Sequence, residues 1–214
     1  MRVLLKIGFF NFLIILVLPS LANAEGWIYN FGVSNKNYQI KGNTPSEYFR
    51  LDDNPIAINL AAGSQILNGD VSISFSTLAN SSDFDRTDFS AAYAFPLTQN
   101  SSFSLGYLIS ETDIKSTVST LENKSFFGQF LLRKPIFSSS TAIFKLGALS
   151  GDYNNNSSDG RSEGISYGAG FARPFRGNVI SIMYDYSDLT FNTSSENSLD
   201  EKIEGISISA ARPF

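Results

Sequence analysis

The most constraining feature of this 214-residue chain is the way its residues divide between two faces. Over 162–175 one set is Ile165, Tyr167, Ala169, Phe171 and Phe175, and the alternate set is Gly164, Ser166, Gly168, Gly170 and Ala172. Over 102–112, Phe103, Leu105, Tyr107 and Ile109 alternate with Ser102, Ser104 and Gly106. Segment 70–79 sets Val71, Ile73 and Phe75 against Ser72, Ser74 and Ser76. Segment 26–40 sets Trp27, Tyr29, Phe31 and Val33 against Ile28, Asn30, Gly32 and Ser34. A period of two is that of a β-strand. A soluble sandwich would bury the bulky set and leave Gly, Ser and Ala on a surface that water favours lining with Lys and Glu. The strands carry few charges, so the opposite arrangement is expected, with the bulky set against hydrocarbon and the small set lining a narrow interior. In hydrocarbon every backbone polar group must be paired, which forces the sheet to close. The expected fold is all-β, a transmembrane antiparallel up-and-down β-barrel, with a secreted soluble β-protein as the alternative.

Ten segments carry this alternation, at about 26–40, 54–66, 70–79, 86–97, 102–112, 123–137, 141–153, 162–175, 178–191 and 202–214. Eight strands remain the alternative if the first hairpin is irregular. Tight turns at 67–69, 98–101, 138–140 and 176–177 alternate with longer polar connections at 42–53, 80–85, 113–122, 154–161 and 192–201. Short turns on one side and long loops on the other suit a barrel with periplasmic turns and external loops. Pro96, Pro135, Pro174 and Pro213 recur every 39 residues, each one position before an apolar residue at the end of a descending strand. Proline has no ladder N–H, so it belongs at a strand end. The repeat unit is therefore one hairpin.

The start of the chain reads differently. Arg2 and Lys6 precede an apolar run over 7–18, and Ala22-Asn23-Ala24 follows Pro19. This is the three-part pattern of a secretory signal peptide, assigned to 1–24 and cleaved after Ala24. Twelve residues rise only about 18 Å as a helix, short of a roughly 30 Å hydrocarbon core. The remainder, 25–214, is assigned as one barrel domain with 14 basic and 20 acidic residues. That excess of acid speaks against nucleic acid as a partner. There is no Cys and no His, which excludes disulfides, thiolate and imidazole metal sites, and serine–histidine triads.

The ending Ile206-Ser207-Ile208-Ser209-Ala210-Ala211-Arg212-Pro213-Phe214 resembles the C-terminal strand of bacterial outer-membrane β-barrel proteins. The chain as a whole resembles the small members of that class, the OmpA-type and porin-like barrels. The resemblance implies location in the cell outer membrane after export through the inner membrane. It also implies outer-membrane lipids as partners and Phe214 as a signal read by the barrel-assembly machinery. Arg212 departs from the apolar residue usual at its position. Barrel enzymes of this class rely on a His, so none of their mechanisms can be carried onto this chain.

The remaining candidates are charged. Asp83, Asp85 and Asp88 cluster near one loop, and Asp185 and Asp188 stand on the ninth strand. Asp83 and Asp85 read as solvated loop residues, without the glycine and bidentate Glu of an EF-hand calcium loop. No metal, cofactor or catalytic residue is assigned. Arg133 and Lys145 share the lumen phase of neighbouring strands and fall nearly opposite one another when the hairpin folds about Ser139. Their like charges call for a carboxylate, and Asp185 is expected to supply it across Gly168 and Gly170. A lumen charge network of Arg133, Lys145 and Asp185 is thus expected. Lys134, Arg173 and Arg212 occupy equivalent points of the repeat, outward at the periplasmic rim, where they can reach lipid phosphates. A non-enzymatic structural or surface-interaction role through external loops is the expected function. A narrow porin-like pore or transport barrel for small solutes is the alternative, and the sequence names no surface ligand.

Overall fold

The computed structural model describes residues 26–43, 48–115, 119–137, 139–155, 158–193 and 198–213. The signal peptide assigned to 1–24 and the terminal Phe214 lie outside the described residues. Eleven strands follow in order. They are β1 (Trp27–Asn43), β2 (Tyr48–Asp53), β3 (Ile56–Ile66), β4 (Gly69–Ala79), β5 (Phe84–Thr98), β6 (Ser101–Ile114), β7 (Ser119–Phe137), β8 (Ser140–Asn155), β9 (Ser158–Phe175), β10 (Asn178–Thr193) and β11 (Ser198–Pro213). Each pairs antiparallel with its neighbour, and β11 pairs with β1 to close the sheet.

β2 and β3 are two halves of one stave. Asp53 faces Tyr38 and Ile56 faces Asn35, so the register runs unbroken past Asn54 and the buried Pro55. The Lys36 N–H still donates to the Pro55 carbonyl at 2.9 Å, which bridges the gap. The barrel therefore has ten staves, and the irregular first hairpin does not reduce it to eight.

The register also fixes the shape. Starting at Ile40, successive partners are Glu201, Leu189, Gly164, Leu149, Phe127, Gly106, Ala92, Ser72 and Gly63. Gly63 pairs with Ile28, so one circuit returns to β1 twelve residues lower. Ten staves with that stagger give a tilt of about 40° and a backbone radius of roughly 10 Å. Each row descends about 1.2 residues per stave, so the height of any residue follows from its register.

The tight turns behave as expected. Arg176 (φ 50°) and Gly177 (φ 79°) form a two-residue turn with both residues left-handed, the form that matches strand twist. Register shifts lie at Pro96/Thr98 and Pro135/Phe137, beside two of the repeating prolines, where the missing N–H interrupts the ladder.

The longer connections differ from the sequence expectation. Much of 42–53, 113–122, 154–161 and 192–201 is strand, and staves of 14 to 19 residues result on β5 to β11. Crossing a bilayer takes only about 9–11 tilted residues. The excess stands on the loop side, and there the two faces exchange character. Below, Phe31, Phe103, Leu105, Phe130, Phe144, Leu146, Ile165, Phe171, Ile206 and Ile208 face outward. They form an apolar band roughly 20–25 Å tall, the height of such bands in outer-membrane barrels. Tyr107–Phe126 (5.0 Å between centroids) and Tyr167–Tyr186 (4.7 Å) mark its upper edge. Above that level the outward residues are charged, as with Glu111, Glu122, Lys124, Asp152, Glu163, Asp188 and Lys202. The inward ones become apolar. The sequence pattern of bulky-out strands stops at this level, which is why the upper staves read as loops.

Candidate functional site

The lumen is organised in three layers. The uppermost is apolar. Tyr38, Ile40, Phe84, Ile114 and Leu121 form one buried cluster, with Leu51, Leu78, Leu199 and Ile203 against it. Tyr153, Leu189 and Phe191 form a second, and Leu199 touches both. These residues come from nine of the ten staves, all but β9, so together they cross the lumen and fill its loop-side end.

Directly beneath lies a polar layer built around Arg86. Its Nη1 donates to Glu201 Oε1 at 2.5 Å and to the Tyr38 hydroxyl at 2.9 Å. Its Nε donates to Asp88 Oδ1 at 2.8 Å. The Tyr38 hydroxyl donates to the second Glu201 oxygen at 2.6 Å. Side-chain exposure is 6% for Arg86 and 2% for Glu201, so this pair is desolvated and would be costly to break. The Arg86 guanidinium also stands 5.6 Å from the Tyr38 ring centre. On the opposite wall Asn123, Ser125 and Ser162 form a buried triangle with edges of 2.7, 2.7 and 2.9 Å.

The third layer is the lumen below. Lys145 Nζ lies 2.5 Å from Asp185 Oδ1 across Gly168, whose missing side chain leaves their path clear. Lys36 projects inward from β1 within electrostatic reach of Asp185 and Asp88. The inward charges of this column are Lys145, Asp185, Lys36, Asp88, Arg86 and Glu201. Three cations and three anions sum to zero. Around and below them the wall is mostly Ser, Gly and Ala, with hydroxyl pairs at Ser74–Ser90 and Ser181–Ser209, both 2.7 Å. Phe127, Leu131, Ile143 and Met183 occupy part of the remaining space.

Arg133 stands apart from this column. The register pairs it with Ile143, while Lys145 faces Leu131. Phe137 pairs with Ser140 and a register shift follows Pro135, which displaces the hairpin from the fold about Ser139, so Arg133 sits lower, exposed at the turn-side mouth. Among the described residues no ion pair of its side chain is formed. Lys36, Arg86, Asp88, Glu201 and Tyr38 were not singled out from sequence as a group. Arg86 and Asp88 do share a strand face, but Glu201 is 115 residues away and meets Arg86 only through the stagger of the barrel.

Lys134, Arg173 and Arg212 all lie outward on β7, β9 and β11, exposed at one level near the turn side. Asp85 is an exposed partner of Lys115 at 3.1 Å, and Asp188 faces outward with Lys202 at 3.1 Å. Among the described residues no group of three carboxylates is placed to hold a metal ion.

Asp53 forms a separate device at the loop-side end. Its carboxylate accepts from the Ser81 hydroxyl (2.5 Å) and from the N–H groups of Asn54 (2.8 Å), Ser82 (2.9 Å) and Asp83 (3.4 Å). Burial alone would raise this carboxyl, but the hydrogen bonds outweigh it and hold it below the ordinary carboxylate value. The stave formed by β2 and β3 is thereby tied to the 80–83 turn.

No protein-family model matches the sequence, and no curated protein is similar to it. Solved structures are similar in fold. The outer membrane protease OmpT from Escherichia coli superposes with a TM-score of 0.57 at 8% identity, over 90% of this chain and 98% of that one. An outer membrane channel from Pseudomonas putida F1 gives 0.49 at 11% identity, over 89% and 96%. Neisserial surface protein A gives 0.39 at 11%, over 89% and 100%. At these identities the likeness establishes the fold, a small outer-membrane β-barrel, and nothing of activity.

Proposed function

We propose that this protein is a closed, non-enzymatic barrel of the outer membrane that acts through its loop-side storey rather than through its lumen. One observation carries the reading. The apolar layer around Tyr38, Ile40, Phe84, Leu189 and Phe191 crosses the lumen at its external end, and all five are buried to 2% exposure or less. A solute path would have to displace it and the Arg86–Glu201 pair beneath. Outside the same level the staves carry charged residues on a rigid, fully hydrogen-bonded wall, a surface suited to contact with other envelope or external components. The protein reaches this location by export through the inner membrane, and the barrel-assembly machinery inserts it.

Reconstitution into a planar bilayer tests the reading against a pore. The closed barrel gives no stable conductance steps. Reproducible steps from the wild-type protein, shifted in ion preference by Lys145→Glu, would establish the pore instead.

A further inference from the structure

One row of cross-strand pairs, at the level where the two storeys meet, groups tyrosines with a carboxylate. Leu146 pairs with Tyr167, Tyr167 with Tyr186, Tyr186 with Glu204, and Glu204 with Asn37. All five face outward. The Tyr167 and Tyr186 rings are stacked, with centroids 4.7 Å apart and planes at 22°. Tyr184 adds a third ring at the next lower outward position of β10. Its hydroxyl donates to one Glu204 oxygen at 3.0 Å, and the Asn37 side-chain amide donates to the other at 3.0 Å. The Tyr186 hydroxyl donates to Asp188 Oδ2 at 3.0 Å, and Lys202 Nζ stands 3.1 Å from the same oxygen.

Glu204 differs from the other outward carboxylates. Among the described residues it is the lowest of them, set by register level with the outward, exposed Ile165. Both of its hydrogen-bond donors are neutral, and among the described residues no Lys or Arg forms an ion pair with it. Lys202, two residues away on the same strand, is engaged with Asp188. A carboxylate at the edge of hydrocarbon is costly without a counter-charge. Tyrosine ring faces are themselves electron-rich and attract cations. An anionic headgroup would meet Glu204 and Asp188 and be repelled. The rings and the carboxylate together complement a positive charge at the depth of the outer-leaflet headgroups.

We infer that Glu204 and the rings of Tyr167, Tyr184 and Tyr186 form a binding site for the primary ammonium group of an outer-leaflet amphiphile. Each Glu204 oxygen has accepted one hydrogen bond and keeps a lone pair for a further N–H donor. A primary ammonium uses that lone pair and lies against a ring face at once. A quaternary ammonium has no proton to donate. The apolar chain of the amphiphile runs down past Ile206 and Ile208, exposed by 58% and 57%. This inference rests on the outward face of β9–β11 meeting a bilayer, not on the lumen being closed. A conducting barrel that still bound the amine would overturn the earlier reading and leave this one standing.

The test titrates the folded barrel, held in dodecyl maltoside micelles, with dodecylammonium and follows amide shifts by NMR. Shifts centred on Tyr167, Tyr186 and Glu204 saturate. Glu204→Gln keeps the shape, removes the charge and weakens binding about tenfold or more, as loss of a hydrogen bond to a charged group does. Tyr186→Leu weakens it about two- to fivefold, the worth of an exposed cation–π contact. Tyr186→Leu also keeps the test open if Glu204→Gln does not fold. Glu122→Gln, outward on β7, leaves the affinity unchanged. Dodecyltrimethylammonium binds more weakly than dodecylammonium, and so does ethylammonium, which has the head without the chain. Absence of saturable shifts at these residues overturns the inference, as does undiminished binding in Glu204→Gln or Tyr186→Leu. Equal affinity for dodecyltrimethylammonium overturns the primary-ammonium assignment. Equal affinity for ethylammonium overturns the amphiphile and leaves a site for free amines.

Discussion

β10 obeys one rule in its lower half and the opposite rule in its upper half. Below, Ile180, Ile182 and Tyr184 face outward while Ser181 and Met183 face in. Above, Asp188 and Thr190 face outward while Leu189 and Phe191 are buried inside. β6 does the same, passing from Phe103 and Leu105 outside to Glu111 and Asp113 outside, with Ile114 inside. The hydrogen-bonded wall is continuous through the change, so what changes is the solvent around it. Against hydrocarbon, apolar side chains lose nothing by facing out, and the interior can be small and polar. Against water, the hydrophobic effect draws the same side chains into the lumen, and they close it. One barrel is thus a membrane protein at its base and a water-soluble β-barrel at its top. The plug is the core of the soluble part.

The largest effect should come from the boundary between the two storeys. Glu201→Ala leaves Arg86 buried without its main partner and should lower stability by about 3–5 kcal/mol. Glu204→Ala, three residues along the same strand but outward, should cost less than about 1 kcal/mol. Urea unfolding of the two variants in vesicles measures the difference, and equal losses would break the comparison. Next, Leu189→Ala opens a cavity in the plug and should cost about 3 kcal/mol. Phe126→Ala, in the lipid-facing band at 72% exposure, leaves no such cavity and should leave the lumen sealed. In the lower lumen, a Cβ at position 168 would collide with the Asp185 carboxylate. Gly168→Ala should therefore separate Asp185 from Lys145 at a cost of about 1–2 kcal/mol. A double-mutant cycle on Lys145 and Asp185 in the alanine background should then show the coupling gone.

The smallest effect is local and depends on pH. Because the folded-state value of Asp53 is depressed, its contribution is complete above the unfolded carboxylate value and is lost as pH falls through the folded one. Amide exchange at Ser82 and Asp83 should accelerate over that acidic window in the wild type. Asp53→Asn should remove the dependence, and a persistent acid step in that variant would assign it elsewhere.

The lower storey was legible in the sequence because one repeating contrast, bulky against small, runs through it. The tight turns, the prolines of the 39-residue period and the closure of the sheet all follow from that contrast. The upper storey was not legible in the same way. From Lys36 to Ile40 the lumen phase changes from Gly and Ser to Lys, Tyr and Ile, so a search for apolar residues on the outward phase ends there. In the sequence β2 reads as loop, because Asp52, Asp53 and Asn54 precede a proline, a combination that favours turns. The Arg86–Glu201 pair depended on knowing the stagger of the barrel, a global quantity that no local spacing encodes. Arg133 illustrates the converse: its register moved by two residues, one set where Phe137 pairs with Ser140 and one by the bulge at Pro135, and with it its distance from Lys145.

The central claim is that the lumen is sealed at its loop-side end and open toward the turns. The natural chain has no Cys, so single cysteines report cleanly. Ser104 faces the lumen from β6 below the charged column, paired with Ala94 and Gln129. In Ser104→Cys barrels inserted in one orientation, a membrane-impermeant maleimide should label from the turn side and not from the loop side. Rapid labelling of Cys at that position from the loop side would contradict the account, because no reagent can reach it from there past a seated plug.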